Sequence, residues 1–126
     1  MHSTLLCYNP FIFGPIIFKI DTGADVTTIS LNDALRLKID FNKLGKPFDV
    51  LTGSGLTSAY NILDSFLGFD LGNCILTEKI SPIDISRPEV TIENATTIKN
   101  IPSLLGTDFL QRYTIRYDGN LIYLDR

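Results

Sequence analysis

The stretch Ile16-Ile17-Phe18-Lys19-Ile20-Asp21-Thr22-Gly23-Ala24-Asp25-Val26-Thr27-Thr28-Ile29-Ser30 constrains this chain more than any other. A short apolar, β-branched run bounded by turn residues reads as a buried strand, which places Asp21 where that strand breaks into a loop. A carboxylate buried without partners is costly, and it is either neutralised or hydrogen-bonded. A fold that sets an acid there must satisfy it or use it. On its own Asp-Thr-Gly is also read as a polar turn after a strand, so its surroundings decide.

Residues 3–8 read as a first strand, Asn9-Pro10 as a break, and Phe11 to Phe13 as a short strand that turns at Gly14-Pro15 into the one carrying Asp21. Val26 to Ile29 is the next strand. Ser30 with Asp33 three residues on resembles a capping box, and Leu31, Ala34, Leu35 and Leu37 follow at nearly helical spacing. This predicts a short helix, ending before Phe41, whose role is packing. Phe48 to Leu51 and Ala59 to Ile62 flank Gly53-Ser54-Gly55, a β-hairpin whose tip tolerates positive φ.

Residues 65–69 and 73–80 add two strands. From Ser81 to Ile101 the pattern fades among Pro82, Pro88 and Pro102, with Glu89 to Ile92 as a candidate strand. Leu104-Leu105-Gly106 reads as a buried strand end and Thr107 to Gln111 as a short helix. Asp118-Gly119-Asn120 between Thr114 to Tyr117 and Leu121 to Leu124 predicts a closing hairpin. Many short strands with regular turn signals predict an all-β barrel or sandwich.

With 126 residues, 44% hydrophobic and 20% charged, the chain matches a single domain spanning 1–126 that buries a core without staples. A net charge of −3 offers no basic field for nucleic acid or an anionic membrane. No apolar run approaches the roughly 18 residues of a spanning helix, and no basic n-region precedes an apolar one. The expectation is a cytoplasmic protein with neither nucleic acid nor membrane as partner. Cys7 and Cys74 lack metal-ligand spacing, and the sole imidazole, His2, is terminal, which argues against structural zinc and against Cys/His or Ser/His catalysis. The two cysteines read as small core residues, and the sequence leaves a disulfide between them open. No cofactor or metal is expected.

Asp-Thr-Gly-Ala-Asp at 21–25 followed by a Thr/Ile/Ser strand, the glycine hairpin in mid-chain, and Leu104-Leu105-Gly106-Thr107-Asp108-Phe109-Leu110 near the end together resemble the retropepsin family, the single-domain homodimeric aspartic proteases of retroviral type. The resemblance covers the chain from about Ile16 to Leu124. It implies a closed barrel with a β-hairpin flap and one or two short helices. It also implies an aspartic endopeptidase that acts on a peptide or protein substrate through a homodimer.

Hydrolysis by two carboxylates needs one ionised, to take a proton from water, and one protonated, to bond the carbonyl; two held about 3 Å apart achieve this because both cannot ionise together. Only one Asp-Thr-Gly is present, so the second carboxylate comes from a second copy across a two-fold axis. The resemblance gives Asp21 the catalytic role, Thr22 a hydrogen bond across the axis, and Gly23 a free N–H for the carboxylate. Ala24 stands where pepsin-like enzymes carry a hydroxyl, which implies an optimum nearer weak than strong acid. Asp25 matches a residue that binds substrate backbone, with a turn carboxylate as its plainer reading, and Gly53, Ser54 and Gly55 match the substrate-covering flap, with an ordinary surface hairpin as theirs. Gly106-Thr107-Asp108 matches a structural motif beside the active loop. Retroviral members place Arg after that glycine, Thr107 departs from them, and Arg112 is the cation nearby.

Two further readings differ in class. One is a catalytically silent retropepsin-like domain that binds an extended peptide or only dimerises. The other uses Asp21 and Asp25 as cation ligands, and two carboxylates fall short of the six to eight oxygens a calcium ion takes.

Overall fold

Strict alternation along residues 12–19 sets the pattern of the whole molecule. Ile12, Gly14, Ile16 and Phe18 are buried while Phe13, Pro15, Ile17 and Lys19 are exposed, the period of two that gives a strand one core face and one outer face. The computed structural model describes residues 2–9, 12–52, 55–70, 75–119 and 121–125. Among them are β1 (His2–Asn9), β2 (Ile12–Ile20), β3 (Thr28–Ile29), α1 (Leu31–Arg36), a 3₁₀ turn (Phe41–Lys43), β4 (Phe48–Thr52), β5 (Gly55–Ile62), β6 (Ser65–Asp70), β7 (Ile75–Ile80), β8 (Ile83–Arg87), α2 (Ala95–Lys99), β9 (Ser103–Leu105), α3 (Thr107–Leu110), β10 (Thr114–Asp118) and β11 (Leu121–Asp125).

Nine strands hydrogen-bond in the order β4-β5-β8-β3-β9-β2-β1-β6-β7, and β10 with β11 forms a separate hairpin. Pairing is antiparallel except between β2 and β9 and between β3 and β8, which run parallel. One apolar cluster draws on both halves of the sheet: Leu5, Cys7, Ile16, Phe18 and Leu67 from one side, Ile29, Ile62, Ile83, Ile85 and Leu105 from the other, with Phe109 and Leu110 of α3. A sheet that contributes to one core from both halves must curl around it. Among the described residues its edge strands β4 and β7 do not pair, so the expected closed barrel is corrected to a curled, open sheet.

Other expectations change in detail. β2 is not broken at Gly14-Pro15; the strand runs through, with Gly14 opposite Cys7 and Pro15 opposite Leu6. β9 flanks only Phe18–Ile20, so Pro15 lies where β2 has a free side, the setting in which a strand accepts proline. Gly14 has φ +155°, and a Cβ there would strike the Leu37 side chain. The strand expected from Val26 shortens to Thr28–Ile29, because the Thr27 N–H is claimed by a side chain from α3.

Glu89 to Ile92 is not a strand. Asn94 accepts the Thr91 N–H at 2.7 Å and donates to the Glu89 carbonyl at 3.0 Å, and this local bonding replaces a ladder. β8 and α2 were not foreseen, and three α-helices are present where one or two were expected. The hairpin arms do form, with Phe48 opposite Ala59 and Thr52 opposite Gly55, whereas tip residues Gly53 and Ser54 lie outside the described residues, as do Cys74, the turn 71–74 and Asn120. In the closing hairpin Gly119 adopts φ +60°, the left-handed conformation its turn requires.

Candidate active site

Asp21 leaves β2 without leaving its ladder: its N–H donates to the Leu105 carbonyl at 3.1 Å, one residue beyond the β2–β9 pairing. The half-buried side chain accepts the Gly23 N–H on Oδ1 at 2.8 Å. The Ala24 N–H donates to the Asp21 carbonyl at 3.2 Å and closes the turn. A Cβ at Gly23 would sit 3.2 Å from that same Oδ1, so glycine leaves the acceptor unobstructed. Thr22 and Asp25 are exposed and Ala24 is half-buried. The structure thus brings Asp21 and Gly23 into contact and leaves the side chains of Thr22 and Asp25 facing outward.

What holds this loop comes from far along the chain. The Asp108 carboxylate accepts the Thr27 N–H at 3.0 and 3.1 Å and the Thr27 hydroxyl at 2.8 Å, and Thr27 is fully buried. The Gly106 N–H donates to Thr27 Oγ1 at 3.1 Å, while the Thr107 N–H donates to the Ala24 carbonyl at 2.8 Å and the Asp108 N–H to the Asp25 carbonyl at 3.3 Å. A Cβ on Gly106 would lie 2.7 Å from the Val26 carbonyl carbon and 2.9 Å from the Ala24 and Val26 oxygens. Only glycine permits α3 to approach the loop this closely.

The other side of β3 is braced similarly. Ser30 caps α1, and its N–H donates to Ser103 Oγ at 2.9 Å, while the Ser103 hydroxyl donates to Asp33 Oδ2 at 2.6 Å. Asp33 therefore does not close a capping box onto the Ser30 N–H; it locks α1 to β9. Asp84 donates its N–H to the Thr27 carbonyl at 3.1 Å, and burial, followed by the nearby Asp108 charge, pushes its carboxyl above the usual range. Arg112 does not reach the loop. It donates to the Lys79 carbonyl at 2.6 Å and lies 3.7 Å from Glu78, tying the end of α3 to β7.

The hairpin β4–β5 joins the same sheet through β8, so its nearer arm stands two strand positions, about 10 Å, from β3. Among the described residues no group of three or more His, Cys, Asp or Glu side chains is gathered for a metal, and no helix is long and apolar enough to cross a membrane. Sequence reasoning missed Thr27, Asp84 and Ser103. The signal for Asp84 and its strand was present in Ile83-Asp84-Ile85, an apolar-polar alternation hidden by its flanking prolines.

A crystal structure of a retropepsin-like aspartic protease from Rickettsia conorii superimposes with a TM-score of 0.56 at 24% identity, over 96% of this chain and 88% of that one. The fold is retropepsin-like. EIAV protease complexed with the inhibitor HBY-793 is also similar, over 89% of this chain and 86% of that one, but at 15% identity and a TM-score of 0.49 that likeness decides nothing. No protein-family model and no curated protein matches the sequence. In this retropepsin-like frame the Asp-Thr-Gly loop sits between β2 and β3, with α3 behind it as its support.

Proposed function

We propose that the chain is an aspartic endopeptidase active as a homodimer, in which Asp21 of each copy contributes one carboxylate to a shared pair. The observation that carries this reading is the half-buried Asp21 carboxylate on the Gly23 N–H at 2.8 Å, in a loop fixed from behind by Asp108 and Gly106. The protease named as structurally similar supports the same reading.

In this mechanism the two carboxyls share one proton. The ionised member takes a proton from a water held between them, that water attacks the peptide carbonyl carbon, and the protonated member bonds the developing oxyanion before passing a proton to the leaving nitrogen. Thr22 holds the partner loop so that the carboxyls stay coplanar. Gly23 orients Asp21 through its N–H. Ala24 and Asp25 line the substrate backbone, and the hairpin around 53–55 covers it. The substrate is a peptide or protein segment in extended form, and the setting we propose is the cytoplasm.

The deciding experiment compares wild type with Asp21→Asn on a peptide library from about pH 3 to 7, at several protein concentrations, with sedimentation run in parallel. Wild type cleaves with a rate per protomer that rises as dimer forms, and the variant does not cleave. Equal cleavage by both, or none at any concentration, overturns the proposal. An inert dimer that still binds peptides would instead mark a silent relative.

A further inference from the structure

The register of five strands places a single row of side chains across the sheet beside Asp21. Lys19 on β2 is opposite Leu104 on β9, Leu104 opposite Thr28 on β3, Thr28 opposite Asp84 on β8, and Asp84 opposite Asn61 on β5. Residues in register on neighbouring strands share a face. The flanking residues Phe18, Ser103, Leu105, Ile29, Ile83, Ile85 and Ile62 are buried, so this row occupies the face away from the core. Lys19 and Asn61 are exposed and Leu104, Thr28 and Asp84 half-buried, as that placement requires.

Asp21 follows Lys19 by two residues and so continues the same face of β2. The row therefore flanks the carboxylate with a cation at one end and an anion farther out. Neither charge is neutralised within the chain: among the described residues the Lys19 ammonium and the Asp84 carboxylate have no ion pair or side-chain hydrogen bond. The same face of β5 carries Thr57, a buried hydroxyl that has no hydrogen-bond partner among the described residues. Lys19 and Asp84 stand three strand positions apart, about 14 Å, which is the span of four residues of an extended peptide at about 3.4 Å each. Side chains four residues apart in such a peptide point the same way.

We infer that this face selects a charged peptide, with Asp or Glu against Lys19 close to the bond opposed to Asp21, and Lys or Arg about four residues farther out against Asp84. The inference rests on the protease reading only for where the bond is cut; the charge preference is a property of binding. A half-buried carboxylate facing an occupant's cation regains in the complex the partner it lacks in the free chain, and a misplaced like charge is rejected.

The test uses labelled ten-residue peptides carrying Glu and Lys four positions apart, with Glu inner and Lys outer or the reverse. Binding is read by anisotropy on Asp21→Asn protein and cleavage by mass spectrometry on wild type. The inner-Glu, outer-Lys set is favoured at least about tenfold, and the double reversal Lys19→Glu with Asp84→Lys inverts that ratio. Should the reversal not fold, Lys19→Gln with Asp84→Asn must bring the ratio close to one. Cleavage without charge preference, or a ratio indifferent to these substitutions, overturns the inference and leaves the protease reading intact. Preferential binding without cleavage upholds the inference and removes the protease reading, and no binding of any peptide removes both.

Discussion

Replacing Asp108 by alanine tests whether α3 is what holds the Asp21 loop in shape. The carboxylate accepts three bonds from the loop side, two geometries from the Thr27 N–H at 3.0 and 3.1 Å and one from the Thr27 hydroxyl at 2.8 Å, and a fourth from the Phe109 N–H at 2.8 Å. Thr27 is fully buried, so its N–H is left with no acceptor and no water. Losing a charged acceptor and stranding a buried donor costs about 3 kcal/mol, after a small return from relieving the repulsion with Asp84. At about 4 °C per kcal/mol for a domain of this size, the melting midpoint falls by about 12 °C, measured at one fixed protein concentration because the proposed dimer would make the midpoint depend on it. Asp108→Asn keeps an oxygen on the Thr27 donors and drops the repulsion, so it stays within about 1 kcal/mol of wild type. An alanine variant that melts within about 2 °C of wild type would refute the bracing role.

Gly106→Ala meets three backbone atoms of Ala24 and Val26 at 2.7 to 2.9 Å, atoms that cannot turn aside, and is expected to lose about 3 kcal/mol in urea unfolding. Asp84 has its folded carboxyl raised above the unfolded value, so the stability it confers is full in acid and is lost as pH rises through the folded value. Asp84→Asn should therefore melt progressively higher than wild type from about pH 3 to 7, and a constant gap would contradict this. Cys7 is fully buried and its thiol is pushed up to about 12, so a maleimide at pH 8 should leave Cys7 unmodified in the native protein and modify it in denaturant, as peptide mass mapping will read.

Much of the fold was legible because side-chain period and turn chemistry act locally. The strand that leads into Asp21, the Ser30 cap, the arms of the two glycine hairpins and the helix starting at Thr107 all follow from residues close together in sequence. The contact of the Gly23 N–H with the Asp21 carboxylate was expected from the family resemblance, and it too joins residues two positions apart. Contacts made across long separations were not: Thr27 to Asp108 and Ser30 to Ser103 join residues 81 and 73 positions apart, and neither pair carries a local pattern. β8 was lost to caution over proline, although Pro82 and Pro88 stand just outside it. The closed barrel was carried over from a resemblance, and strand order, which sequence does not encode locally, is what changed it.

The dependence of the Asp21 loop on residues 103–110 has a consequence for biogenesis. A ribosome releases Asp21 long before it has made the segment that props that loop, and until that segment emerges the acid hangs on an unsupported turn. In the protease reading, catalytic competence would wait for that segment, and clipping between Arg87 and Ser103 would silence a folded molecule by letting the support of the loop drift away.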